Sequence, residues 1–170
     1  MISGRRVARE VALLILFAVD LSEDKVIGDI LPEFWTNFVN DDEVLADLFS
    51  ESSNHENLTP AVSQARKVLG EADGAQREFI ERLVNGVAAH LTAIDDLIGR
   101  YSLNWKVGRM ARVDRNILRL AAYELAFESD VPSRATLNEA IEIAKRFGTD
   151  ESGKFVNGIL DRIAQELGRV

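Results

Sequence analysis

The 170-residue chain contains no cysteine, so neither a disulfide framework nor a thiolate metal site is available to it. It has only two histidines, His55 and His90, and their spacing is not that of a metal-binding pair. Glycine-rich phosphate loops of the GxxxxGKS, GxxxxGKT or GxGxxG type and a nucleophile elbow are also missing. These absences predict a protein that is not an enzyme, carries no metal or other cofactor, and has no small-molecule substrate.

Long apolar runs are missing as well, since none approaches the roughly 20 residues that a membrane-spanning helix requires. The apolar run 11–19 follows Arg5, Arg6 and Arg9, which gives it the outline of a signal peptide. No small-residue cleavage site follows it, because the chain continues as Asp-Leu-Ser-Glu-Asp from residue 20. The sequence therefore predicts a cytoplasmic protein that does not enter a membrane.

Proline and glycine are few, with three and eleven residues, which favours long helices. Apolar residues recur at spacings of three and four, and no segment alternates with the period of a strand. The predicted helices cover 4–22, 75–101, 109–129 and 136–148, and a last one begins with Ser152 as its N-cap. The pattern indicates an all-α fold of about seven helices. The residues expected in its core are Leu83, Val87, Ile117, Leu120, Ile141, Phe155 and Ile159.

Negative charge is concentrated in one segment. The formal net charge is −8, but residues 23–76 hold twelve acidic and three basic groups, a net charge of −9. Residues 1–22 have a net charge of +1, and residues 77–170 are neutral overall. The acidity of the whole chain therefore does not exclude a polyanionic partner elsewhere on it.

Three arginines stand at the start of the first predicted helix, with Ser3 as a possible N-cap. Arg5, Arg6 and Arg9 fall within an arc of about 100° on the helix. The helix dipole disfavours cations at this end by a few tenths of a kcal/mol each. Phosphate would relieve this cost, because arginine binds it through two hydrogen bonds. The alternative is that the arginines pair with acidic groups of the chain itself.

A second basic cluster lies further along the chain. Arg109, Arg112, Arg115 and Arg119 fall within an arc of about 120° on the predicted helix 109–129. Arginines in such a position also pair with acids on neighbouring helices and cover apolar surface with their stems. This structural role is at least as good an account of the cluster as a polyanion site.

Two stretches resemble the NusB family of transcription antitermination factors. "RRVARE" at 5–10 is similar to the start of the family, and "VDRNILRLAAYEL" at 113–125 is similar to its C-terminal half. The similarity continues through "NEAIEIAKRFG" at 138–148 and "KFVNGILD" at 154–161. The resemblance covers 4–22 and about 77–167. Residues 23–76 are interpreted as an acidic insertion between an N-terminal RNA-binding helix, 1–22, and a C-terminal helical bundle, 77–170, all in one domain.

The resemblance implies an all-α fold of two small helical bundles and a non-catalytic RNA-binding adaptor. Such an adaptor pairs with NusE, a protein of the small ribosomal subunit, binds the single-stranded boxA element of ribosomal RNA transcripts, and joins elongating RNA polymerase. By position in the motifs, the RNA-binding residues are Arg5, Arg6, Arg9 and Lys154. Phe17 and Asp114 match positions that face NusE. The neighbouring Leu13 and Leu16 are candidates for the same protein partner.

Two other interpretations stay open. In the first, the chain is a helical protein-interaction domain with weak or lost RNA binding, and the acidic insertion favours this interpretation. In the second, it is a fragment of an RNA cytosine methyltransferase, since NusB-like domains also occur fused to such enzymes. The methyltransferase needs a Rossmann-type domain with its glycine motif, and this sequence has none, so it is disfavoured. An RNA titration with and without NusE separates the first alternative from the main interpretation.

Overall fold

The computed structural model describes residues 4–22, 24–40, 63, 67 and 74–169. Within these ranges the chain forms seven α-helices, one 3-10 turn and no strand, which confirms the predicted all-α class. The helices are α1 (Gly4–Leu21), α2 (Ile27–Asn40), α3 (Gly74–Ala89), α4 (Leu91–Tyr101), α5 (Arg112–Phe127), α6 (Ser133–Phe147) and α7 (Ser152–Glu166), and the 3-10 turn is Val107–Arg109. Ser3, the possible N-cap of α1, lies outside the described residues.

The chain divides into two compact units, residues 1–85 and 86–170, and the boundary falls within α3. Their number agrees with the two small bundles that the resemblance implies. None of the helices in the described part of the chain is long and apolar enough to cross a membrane.

In the unit 1–85, α1 packs against α2. All side chains of α1 from Val7 to Ala18 are buried, as expected for a helix that is apolar on nearly every face after its first turn. Helix α2 continues through Pro32 and buries Ile30 and Phe34, which are 7% and 4% exposed. Since α2 lies in the segment interpreted as an insertion, part of that segment belongs to the core of this unit.

Side-chain contacts also tie α2 to α3. The indole N–H of Trp35 donates a hydrogen bond of 2.9 Å to Oε1 of Glu81. The guanidinium of Arg77 lies over the indole ring, 4.7 Å from its centroid, and donates to the same carboxylate oxygen at 3.1 Å. These contacts fix the face of α2 that carries Trp35 against α3.

The single helix predicted over 75–101 is two helices, α3 and α4, which meet at His90. The backbone N–H of His90 bonds to Gly86 O at 3.1 Å, and the N–H of Ile94 bonds to His90 O at 2.9 Å. Because helical hydrogen bonding continues on both sides of the turn, the apolar spacing of three and four residues does not reveal the break.

In the unit 86–170, α5 packs against α4, α6 and α7, and α7 also packs against α4 and α6. Ile117, Leu120 and Ile159 are buried as predicted, and so are Leu83 and Val87 on α3. Ile141 and Phe155 are only partly buried, so their predicted core positions are wrong.

The junction between α6 and α7 corrects a predicted cap. Gly148 is the C-cap residue directly after α6, and a β-carbon on it would collide with the side chain of Ser152 and lie 2.8 Å from Ala144 O. Ser152 is the first residue of α7, and its hydroxyl oxygen accepts the N–H of Thr149 at 2.9 Å. Ser152 therefore stabilises the turn before α7 and does not act as its N-cap.

Candidate RNA and protein interfaces

Three arginines gather around one phenylalanine in the unit 1–85. The guanidinium carbons of Arg5, Arg82 and Arg9 lie 4.3, 5.3 and 5.6 Å from the centroid of the Phe79 ring. Arg5 and Arg9 come from α1, whereas Arg82 and Phe79 come from α3. We call these four residues the arginine cluster.

The members of the arginine cluster differ in exposure. Arg5 and Arg82 are exposed, Arg9 is 6% exposed, and Phe79 is buried. Arg6, the third predicted RNA-binding residue of α1, is partly buried. The guanidinium groups of Arg5 and Arg82 are therefore accessible to solvent, whereas Arg9 lies in the interior beside the same ring. Its predicted role as an RNA contact stays a prediction.

The arrangement suits an anion. Each guanidinium near an aromatic face gains about 0.5–1 kcal/mol at an exposed site. Arg5 and Arg82 are exposed, so an anion in solvent can approach their guanidinium groups. Phosphate matches the paired N–H groups of arginine, which makes a nucleic-acid backbone a chemically suitable ligand.

Arg82 was not among the residues predicted from the sequence. It follows Phe79 by three residues, which places both on one helix face. That spacing was visible in the sequence. The sequence could not show that α3 brings its arginine to the start of α1, since this is a contact between distant segments.

A polar group lies beside the start of α1. The amide nitrogen of Gln76 is 2.8 Å from where a β-carbon on Gly4 would stand, so glycine at this position makes room for the side chain. The Gln76 Oε1 atom is buried and has no hydrogen-bond partner among the described residues.

The apolar residues predicted to face a protein partner are buried within the chain itself. Leu13, Leu16 and Phe17 are 2%, 5% and 5% exposed. Their predicted partner contact stays a prediction. In the folded chain they contribute to the core.

Lys154 and Asp114 lie together in the unit 86–170, in a cavity of about 620 Å³. The lining residues are Trp105, Met110, Ala111, Asp114, Thr149, Glu151, Ser152, Lys154 and Phe155. We call it the Trp105 cavity. The sequence assigned Lys154 to RNA and Asp114 to a protein partner, and the structure brings both to one site. Trp105, which the sequence analysis did not single out, is 56% exposed.

Asp114 is the polar centre of this cavity. Burial raises the pKa of its carboxyl above 3.8, and the hydrogen bond from Ser152 opposes that rise. Its Oδ1 atom is buried and has no hydrogen-bond partner among the described residues. The carboxylate is therefore incompletely hydrogen-bonded within the described part of the chain, which is costly for a buried polar atom.

Half of the second basic cluster has a structural role. Arg119 donates from Nε and Nη2 to the two carboxylate oxygens of Asp95, both at 2.8 Å. Arg115 is buried and donates from Nη1 to the carbonyl oxygens of Val107 and Gly108, at 3.3 and 3.2 Å. Two of the four arginines therefore hold the fold, as the alternative interpretation of this cluster proposed. In the described part of the chain, no group of His, Asp and Glu side chains is arranged to hold a metal ion.

The family model for the NusB family matches residues 6–165, nearly the whole chain. The chain belongs to the NusB family. A NusB relative from Syntrophotalea carbinolica, named transcription antitermination protein NusB, is 45% identical over 166 residues, which are 97% of this chain and 95% of that protein. The NusB match therefore includes the segment 23–76.

Solved NusB structures have the same fold. A structure of NusB from T. maritima is 40% identical, with a TM-score of 0.63 over 97% of this chain and 92% of that one. A structure described as antitermination factors NusB and NusE in complex with dsRNA has a TM-score of 0.67 over 98% of this chain and 99% of that one. At 22% identity, this second likeness establishes the fold alone.

Proposed function

We propose that this NusB-family protein is a transcription antitermination factor that binds boxA-type single-stranded RNA together with NusE and joins elongating RNA polymerase. The name of its relatives supports the antitermination role. A structure of this fold that contains NusE and RNA supports both kinds of partner. The factor acts by binding rather than catalysis, and it acts in the cytoplasm, where transcription takes place.

The arginine cluster is the observation that carries the RNA assignment. Arg5 and Arg82 are exposed beside the start of α1, and both guanidinium groups lie on Phe79. Such preordered arginines lose less conformational entropy when they bind a phosphate than freely rotating ones do. Arg6 extends the basic surface on α1, and Lys154 supplies a separate cation in the unit 86–170.

Salt-dependent RNA binding tests this assignment. Binding of a labelled boxA-type single-stranded RNA is measured by fluorescence anisotropy at salt concentrations from about 50 to about 300 mM, with and without NusE. Each phosphate contact adds about 0.7 to the slope of log affinity against log salt for a single strand. Arg5→Ala and Arg82→Ala are each expected to lower the slope by about 0.7.

Arg162→Ala is the matched control, because Arg162 is an exposed cation on α7 that takes no part in the arginine cluster. Its affinity and slope should equal those of the unsubstituted chain. If RNA affinity does not depend on salt concentration and is unchanged when both Arg5 and Arg82 are replaced by alanine, the arginine cluster is not the RNA site. A chain that binds NusE but no RNA would instead be the protein-interaction domain.

We also propose that only part of the segment 23–76 is an insertion. Helix α2 packs on α1 and buries Phe34, which supports its place in the core of the unit 1–85. The acidic run 41–43 and the residues after it, up to 62, lie outside the described residues. Their proposed effect on RNA binding is electrostatic, through a negative charge that opposes phosphate.

A further inference from the structure

Aromatic rings are exposed where the turn at His90 meets the end of α5, in the unit 86–170. The rings of His90 and Phe127 are stacked, with centroids 4.1 Å apart and planes 17° from parallel. Tyr123, one turn earlier on α5, is stacked with Phe127 at 5.4 Å and 25°. Tyr123 is buried, whereas Phe127 is 46% exposed and His90 is exposed as well. We call these three residues the Phe127 stack.

Contacts in the interior fix the buried ring of the Phe127 stack. A β-carbon on Gly86 would collide with the ring of Tyr123, so glycine at this position makes room for that ring. The hydroxyl of Tyr123 donates a hydrogen bond of 3.3 Å to Oε1 of Glu128. Phe127 and His90 therefore rest on an ordered base, and little conformational entropy is lost when a partner covers them.

The segments that carry the Phe127 stack are acidic. The stretches 85–96 and 120–131 contain five acidic residues and no lysine or arginine. Two of the five have partners inside the fold, since Glu124 accepts from Thr136 and Asp95 pairs with Arg119. The other three are exposed or partly exposed: Asp96, Glu128 and Asp130.

The end of α5 adds to this negative potential. The carbonyl groups in the last turn of a helix carry partial negative charge, which favours a nearby cation. Helix α5 has no basic residue in its last turn. Arg169 reaches the loop after α5, where its Nη2 donates to the main-chain oxygens of Val131 at 2.8 Å and Glu128 at 3.4 Å. That guanidinium is held by the main chain, and the side chains that follow Phe127 up to position 130 are neutral or acidic.

We infer that the Phe127 stack is a docking surface for a basic segment of a partner protein, which places an arginine against the exposed rings of Phe127 and His90. Arginine fits because its planar guanidinium stacks on aromatic rings and its N–H groups pair with carboxylates. Glu128 and Asp130 supply carboxylates just after Phe127 in the chain. Leu91, next to His90 and 39% exposed, offers apolar surface to the same segment.

This surface is separate from the Trp105 cavity, and the inference goes beyond the proposed function. Phe127 and Asp114, at opposite ends of α5, are about 20 Å apart along the helix at a rise of 1.5 Å per residue. RNA is disfavoured as a ligand because the acidic side chains repel phosphate. A second copy of the chain is disfavoured because a symmetric contact would place the same acidic groups opposite each other.

His90 serves as a reporter of binding. The chain has two histidines, so a His55→Gln variant purified without a histidine tag leaves His90 as the single imidazole in the proton NMR spectrum. The probe is a labelled synthetic helical peptide with leucines along one face and arginines beside them, and its control has glutamate for each arginine. We expect the arginine peptide to shift the His90 resonances with the midpoint that fluorescence anisotropy gives, and the glutamate peptide to leave them unchanged. Binding without a shift of His90, equal shifts with both peptides, or no binding at millimolar peptide would overturn the inference.

Two substitutions separate the aromatic from the charged contribution. Phe127→Ala is expected to weaken binding of the arginine peptide about 2- to 5-fold, the range for one cation–π contact at an exposed site. Glu128→Gln should weaken it as well, most at low salt, because glutamine still accepts from Tyr123 but carries no charge. The matched controls are Leu103→Ala and Glu142→Gln, which change an exposed apolar and an exposed acidic side chain elsewhere in the unit 86–170. Melting curves confirm that each variant is folded. If Phe127→Ala binds the peptide as tightly as Leu103→Ala does, the stack is not the docking surface.

Binding of the other partners decides whether the surface is a separate one. Phe127→Ala should bind boxA-type RNA and NusE as tightly as the unsubstituted chain does. Loss of RNA affinity would make the Phe127 stack part of the RNA site, and loss of NusE affinity would make it part of the NusE surface. Sedimentation equilibrium tests the remaining occupant, because a dimer that Phe127→Ala dissociates would assign the stack to a second copy of the chain. Each of these three results would overturn the inference.

Discussion

The guanidinium of Arg5 lies 4.3 Å from the centroid of the Phe79 ring, which joins the first turn of α1 to α3. The residues are 74 positions apart in the chain, and Phe79 is buried. Arg5 is exposed, so its contact with the buried ring of Phe79 restricts the orientation of a cation on the surface. The contact therefore fixes the position of a guanidinium group in the first turn of α1.

Phe79→Leu should weaken RNA binding without unfolding the protein. Leucine keeps most of the buried volume, which usually costs less than about 1.5 kcal/mol of unfolding free energy. It removes the π-face that orients the arginines, worth about 0.5–1 kcal/mol for each exposed guanidinium. We expect a loss of RNA affinity of about 2- to 5-fold, measured by anisotropy at fixed salt. Equal affinity in both proteins would show that the ring does not position the arginines.

Phe34→Ala should destabilise the chain by about 3–5 kcal/mol, since it removes a buried aromatic side chain from α2. Urea unfolding monitored by circular dichroism measures the change. Glu33→Ala on the exposed side of α2 is the control, since it breaks the exposed Lys25–Glu33 ion pair, and it is expected to change stability by less than about 0.5 kcal/mol. If Phe34→Ala leaves the unfolding free energy unchanged, α2 does not contribute to the core of the unit 1–85.

Shortening the acidic part of the segment tests its electrostatic effect on RNA. A variant in which residues 41–62 are replaced by a short neutral linker should bind boxA-type RNA more tightly at 0.01 M salt. At that ionic strength charges act over about 30 Å, whereas at physiological salt they act over about 8 Å. We expect the difference to vanish near 0.15 M. Tighter binding at both salt concentrations would indicate instead that the segment covers the RNA site.

Asp95→Ala should cost about 1–3 kcal/mol of unfolding free energy. It leaves Arg119, whose side chain is 13% exposed, without the carboxylate that takes two of its hydrogen bonds. The exposed pair Lys145–Glu142 provides the control, because Glu142→Ala should change stability by less than about 0.5 kcal/mol. Equal effects of the two substitutions would show that burial adds nothing to the Asp95–Arg119 pair.

The Asp114 carboxyl makes stability depend on pH. Its pKa in the folded chain is raised above 3.8 by burial, so the folded state holds this proton to a higher pH than the unfolded state does. The stabilising contribution of this group is therefore complete below pH 3.8 and is lost as the pH rises through the raised pKa. Asp114→Asn has no carboxyl at this position and does not lose this contribution. The unfolding free energy of Asp114→Asn, relative to that of the unsubstituted chain, should therefore increase as the pH rises from 3.8 through the raised pKa of Asp114. Urea titrations at several pH values measure it.

Ser152→Ala provides a second check on the same carboxyl. It removes the hydrogen bond that lowers the pKa of Asp114, so the window in which stability is lost should extend to higher pH. If the pH dependence of Ser152→Ala equals that of the unsubstituted chain, the Ser152 hydroxyl does not support the charged form of Asp114.

The sequence by itself determined the helices and the family. Apolar residues three or four apart specify α1, α5, α6 and α7, because a helix with an apolar face is buried along that face. The motifs at 5–10, 113–125 and 138–161 indicated the NusB family, and the family match over 6–165 confirms it. The spacing of apolar residues did not predict the break between α3 and α4, because helical hydrogen bonding continues through His90.

Tertiary structure decided which residues meet. Arg82 joins Arg5 on Phe79 and Lys154 shares a cavity with Asp114, since both encounters depend on how separate helices pack. Packing also buried Leu13, Leu16 and Phe17 and left Trp105 exposed. Periodicity assigns a residue to one face of its own helix, but exposure depends on what the other helices cover, and that information lies in contacts between distant parts of the chain.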